Sequence, residues 1–111
     1  MQFKVLAIPP FDRQLKRLVK KYPAFKEDIS KLAASLASHP KQGVPIGKEC
    51  YKIRVALTSK GKGKAGGARV ITYLHMARQK VYLLAVYDKS DATNILDSEL
   101  IDRLKQILPS A

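Results

Sequence analysis

Residues 50–73, CYKIRVALTSKGKGKAGGARVITY, decide how this chain folds. Side chains along a strand alternate between its two faces. In the first run Tyr51, Ile53, Val55 and Leu57 therefore point one way, and Lys52, Arg54 and Ala56 the other. In the second run Arg69, Ile71 and Tyr73 alternate with Ala68, Val70 and Thr72. The connector between them sets Lys60, Lys62 and Lys64 among glycines. The stretch reads as a β-hairpin with an apolar underside and a cationic top, a surface that suits a phosphate chain.

Downstream, Val81–Tyr87 (VYLLAVY) is apolar throughout, as in a strand covered at least partly on both faces. The short link over 76–80 makes strands 68–75 and 80–87 antiparallel neighbours. Upstream, residues 40–48 (PKQGVPIGK) hold two prolines and two glycines in nine positions and read as a loop. Before that loop, Phe25, Ile29, Leu32 and Leu36 recur at helical spacing, with Glu27 and Asp28 near the positive end of the helix dipole. Phe11, Leu15, Leu18, Val19 and Tyr22 mark an earlier helix whose exposed side carries Arg13, Lys16, Arg17, Lys20 and Lys21. Pro23 separates the two, and together they form an αα-hairpin. Gln2–Ile8 alternates as an opening strand stopped by Pro9 and Pro10. At the other end, Leu96, Leu100, Leu104, Ile107 and Leu108 describe an amphipathic helix closed by Pro109. The order is β-α-α-β-β-β-α. It predicts an α+β fold with a mostly antiparallel four-stranded sheet, an N-terminal helical hairpin, a C-terminal helix, and the helices packed on one side.

The 111 residues suffice for one domain spanning 1–111 with a modest core. A hydrophobic share of 46% and a charged share of 27% are ordinary, whereas a net charge of +12 is not. Residues 41–87 contribute +9, residues 1–40 contribute +5, and residues 88–111 contribute −2. A surplus concentrated on the β-rich middle is the footprint of a nucleic-acid partner. A membrane fits less well, because the charge does not sit on an amphipathic helix with a bulky apolar face. The lone cysteine, Cys50, excludes an internal disulfide, suits a reducing cytosol, and reads as a small packing residue. No metal-ligand spacing is present, and Val81–Tyr87 is far too short to span a bilayer. The expectation is a cytoplasmic protein without a cofactor.

Two readings of the cations stand side by side. Lys52 and Arg54 can be solvated residues on an open sheet face or ligands of a phosphate. Arg69 follows Gly66-Gly67, whose missing side chains let another backbone or a phosphate approach. The Lys60, Lys62 and Lys64 connector is either a flexible turn or a grip on an RNA backbone. Tyr73 and Tyr87 are half-buried sheet residues or platforms on which a base can stack. The basic side of the first helix is a solvated face or a contact to nucleic acid.

CYKIR at 50–54, KGKGKAGGARVITY at 60–73 and VYLLAVYDKSD at 81–91, in this order, resemble the RelE/ParE superfamily of bacterial toxins, and within it the HigB-like group. The resemblance covers essentially the whole chain. It implies the toxin of a type II toxin–antitoxin module, a ribosome-dependent mRNA interferase that cuts in the A site and halts translation. It also implies a cognate antitoxin, in HigB-like modules often a HigA-like helix-turn-helix protein. By that resemblance Lys52 and Arg54 match the two basic strand positions that contact the scissile phosphate, Lys52 being the candidate general base. Arg69 matches the arginine that stabilises the transition state, and Lys89 falls where the family carries another arginine, proposed as general acid. Ile95 occupies the place of a family tyrosine, so Tyr87 or Tyr73 is left to supply the stacking surface. ParE-like members share the fold but inhibit DNA gyrase without catalysis; they generally lack the full Lys52, Arg54 and Arg69 set. That favours the metal-independent endoribonuclease.

Overall fold

The computed structural model describes residues 2–57, 67–91 and 94–107. The elements are β1 (Lys4–Ala7), α1 (Pro9–Lys21), α2 (Phe25–Ser38), β2 (Val44–Gly47), β3 (Cys50–Val55), β4 (Ala68–His75), β5 (Lys80–Asp88) and α3 (Asp97–Ile107). The strands form one sheet in the order β1-β5-β4-β3-β2. Only β1 on β5 is parallel; the other three pairings are antiparallel.

The sheet thus has five strands rather than four. The added strand is β2, inside the stretch that reads as a loop. It is a short edge strand, and an edge tolerates Pro45 because one side of its backbone needs no ladder partner. A two-residue turn at Lys48-Glu49 joins it to β3, with both residues at positive φ (56° and 63°). Gly43 enters β2 at φ 94°, where a Cβ would collide with the Lys52 carbonyl oxygen.

Pro9 and Pro10 open α1 rather than merely ending β1, because the first helical positions need no amide donor. The helices also lie on both sides of the sheet, not on one. Ile53, Val70 and Val86 are cross-strand partners on one face, and Leu18 of α1 lines a cavity with Val86 and Asp88 there. Lys52, Ile71 and Ala85 are partners on the opposite face, where Leu100 of α3 and Ile95 close over Lys52 and Ile71. Double coverage explains β4, in which every residue from Ala68 to Leu74 is buried. Phe11, Phe25, Leu36, Leu74 and Leu84 fill the core. Each such side chain contributes roughly 1.5–3 kcal/mol on burial.

One register shift matters for the site. The β4–β5 ladder pairs Ile71 with Ala85 but Thr72 with Leu83, leaving Leu84 as the extra residue of a bulge. Beyond Leu83 the β1 partner also ends, so β5 has an open edge. Gln14 and Arg103 close it: the Gln14 Oε1 accepts the Val86 amide (3.2 Å), and Arg103 donates to the Leu84 carbonyl (2.7 Å) and to Gln14 (2.8 Å). Glu99 completes the clasp at 3.1 Å from Arg103, which ties α3 to the sheet.

Candidate functional site

The β3–β4–β5 register aligns Arg54, Arg69 and Tyr87 in one row across three strands. Directly opposed residues in an antiparallel pair hold their Cβ atoms about 4.5–5.5 Å apart, and like charges so placed repel. Two arginines side by side therefore cost stability, and a bound anion between them reverses the sign. Lys52 stands two residues before Arg54 on the same face, about 7 Å along the strand.

The four cations differ in freedom. Arg54 and Lys89 are exposed and Lys52 is half-buried, but Arg69 is only 4% exposed. The Arg69 guanidinium donates to the carbonyl of Ala68 at 3.1 Å, so it is a fixed group in the floor of the row. Gly67, two residues before it, lies against the backbone of β3: a Cβ there would collide with the Val55 carbonyl oxygen. What approaches this glycine is thus a neighbouring strand. Lys89 follows β5 at the same end of the sheet, where its amide donates to the Gly67 carbonyl at 3.0 Å. The turn after it is set by Asp88, whose carboxylate accepts the Ser90 amide at 2.9 Å.

Lys52 donates to the Oδ1 of Asn94 at 2.8 Å. The two border a cleft of about 270 Å³ between the sheet and the start of α3, lined also by Ile46, Ile71, Ile95, Asp97 and Leu100. Ile95 gives this cleft an apolar wall. Burial pushes the Tyr87 phenol above its ordinary pKa, while the charge of Arg69 and the backbone of Ile95 pull it back.

The structure brings Lys52, Arg54, Arg69, Tyr87 and Lys89 to one part of the molecule and leaves Tyr73 elsewhere. Tyr73 is paired with Cys50 and Tyr82, stacks on the Tyr82 ring at 6.1 Å, and meets His75 edge-on at 6.0 Å. It is 9% exposed and packs into the core rather than offering a platform for a base. Lys60, Lys62 and Lys64 lie outside the described residues. Asn94, Gln14 and Arg103 escaped the reading of the sequence. Arg103 left a signal, since it sits on the apolar stripe of α3 between Leu100 and Ile107; Asn94 left none beyond a polar stretch.

No family model matches the sequence. Among solved structures, a mutant of the E. coli toxin RelE in the free state superimposes with a TM-score of 0.62 at 16% identity, covering 96% of this chain and 99% of that one. The fold is that of RelE. The toxin–antitoxin complex RelBE2 from Mycobacterium tuberculosis gives a TM-score of 0.61 at 17% identity, over 79% of this chain and 99% of that chain. The RelE fold in this chain thus carries the row of Arg54, Arg69 and Tyr87 on its three central strands. Among the described residues, no helix is long and apolar enough to cross a membrane.

Proposed function

We propose that this chain is the toxin of a toxin–antitoxin pair and cleaves mRNA in the A site of the ribosome. The observation that carries the reading is the opposition of Arg54 and Arg69. A fold that opposes Arg54 and Arg69 across two strands, with Lys52 and Lys89 close by, is suited to an anion that carries more charge as it reacts.

The reaction that fits is attack by a ribose 2′-hydroxyl on its own phosphate. The 2′-oxygen forms the new bond to phosphorus, the bond to the 5′-oxygen breaks, and a cyclic phosphate and a free 5′-hydroxyl result. Lys52, whose Nζ is held by the Asn94 Oδ1, takes the hydroxyl proton. Arg69, already fixed, holds two phosphate oxygens through its fork, and exposed Arg54 closes over the phosphorane. Lys89 returns a proton to the leaving oxygen. Tyr87, at the end of the row, offers its ring to a neighbouring base. Neither metal nor cofactor enters this scheme.

The likeness to a toxin–antitoxin complex supports a cognate antitoxin as partner, and the +12 charge calls for an acidic docking surface on it. A HigA-like helix-turn-helix protein fits that role. The proposal is tested by adding the purified protein to ribosomes programmed with a defined mRNA and mapping the ends. Cuts confined to the A-site codon are expected. Intact mRNA, together with loss of gyrase supercoiling activity, would transfer the chain to the ParE-like class.

A further inference from the structure

The first helix carries a second concentration of charge that the cleavage site does not use. Arg13, Lys16, Arg17 and Lys20 are all exposed and together line a shallow groove of about 300 Å³. Their spacing of three and four residues stacks them in one stripe, about 10 Å long at 1.5 Å of rise per residue. Like charges at that spacing repel, and among the described residues none of the four is paired with an acid. Lys21 stands apart, its Nζ 5.6 Å from the centre of the Tyr22 ring.

The stripe is separate from the Arg54–Arg69 row. Where α1 comes nearest to it, Arg17 and Tyr87 share a cavity with Asp88 and Asp91, and these acids interrupt any continuous positive track. The groove is walled by the stems and charged heads of these four side chains, with no apolar residue among them. Phe11 and Leu18 of α1 are buried and Leu15 packs against the core, so the groove is walled by cations alone. A protein partner needs an apolar centre to its interface; a phosphate backbone needs only positive charge at its own repeat. With one phosphate per about 3.4 Å of a helical strand, the stripe spans about three nucleotides.

We infer that the α1 stripe is a second anion site that binds the phosphodiester backbone of RNA, apart from the cleavage row. The inference rests on the proposed function for its choice of RNA over other polyanions. The stripe carries no base-reading chemistry, so it sets affinity and not sequence choice.

The test is equilibrium binding of the full chain to vacant ribosomes, and separately to a single-stranded RNA oligonucleotide, across a series of KCl concentrations. One variant carries Arg13→Gln, Lys16→Gln, Arg17→Gln and Lys20→Gln. The control carries Lys26→Gln, Lys31→Gln, Lys41→Gln and Arg78→Gln, four exposed cations outside the stripe. Both variants drop the same charge, so only position distinguishes them. For the stripe variant the slope of log K against log salt is expected to shrink by about two to three, at about 0.7 for each phosphate no longer neutralised. A smaller slope on ribosomes alone identifies ribosomal RNA as the ligand; a smaller slope on both identifies any RNA strand. Equal slopes for the stripe variant and the control overturn the inference. If wild-type protein shows the stripe-dependent slope but never cuts mRNA, the cleavage reading fails and the stripe stands.

Discussion

The two ends of β4 present the same face of the same strands and are built in opposite ways. At one end Arg54, Arg69 and Tyr87 stand in a row, with two like charges opposed. Four residues further along β4, about 13 Å away, Cys50, Tyr73 and Tyr82 form the corresponding row. There the rings stack, the thiol is buried, and the turn at Lys48-Glu49 closes the hairpin. One end holds unfavourable electrostatics and the other supplies packing. The lesson is that a single strand pays for its reactive end with its inert one.

That contrast can be broken from either side. The largest effect is expected at Arg69. Arg69→Lys retains a charge but loses the fork, so cleavage per folded molecule should fall by about 10²–10³. A cleavage rate near wild type would take Arg69 out of the chemistry. Tyr73→Ala should do the reverse. Removing a buried ring costs about 3 kcal/mol in denaturant melts, and the folded fraction should cut mRNA at the normal rate. A loss of activity per folded molecule would place Tyr73 in the site after all.

A smaller effect should appear at Cys50. Burial, and then the Glu49 carboxylate, raise its thiol from the ordinary 9.0 to about 11. The unfolded chain therefore sheds this proton first. Stability from the neutral thiol is intact below about pH 9 and drains away as the pH rises towards 11. Denaturant midpoints of wild type and Cys50→Ala, followed across that range, should converge as the pH rises. Parallel curves would show that the thiol does not titrate there.

Much of this architecture was legible in the sequence, and the exceptions have physical causes. Period two in residues 50–57 and 68–75 exposed the hairpin, and helical spacing exposed α1, α2 and α3. The edge strand β2 was hidden because Pro45 and its glycines are loop signals that an edge strand also tolerates. The two-sided packing of helices was latent in the uniform apolarity of VYLLAVY. That same uniformity hid the register. Only the bulge at Leu84 decides that Tyr87 stands beside Arg69 while Tyr73 faces Tyr82. From sequence the two tyrosines were equivalent; in the fold one borders the site and the other packs the core. Asn94 meets Lys52 across 42 positions of sequence, a pairing that no local pattern encodes.

The central claim is that the opposition of Arg54 and Arg69 is kept for the scissile phosphate. Arg54→Gln removes the repulsion without opening the core, because Arg54 is exposed. One preparation of this variant, measured for both folding stability and A-site cleavage, tests the claim directly. Stability should hold or rise by about 0.2–1 kcal/mol. Cleavage should fall about tenfold or more, the value of one charged hydrogen bond. A variant that is less stable and cuts at the wild-type rate would contradict the account.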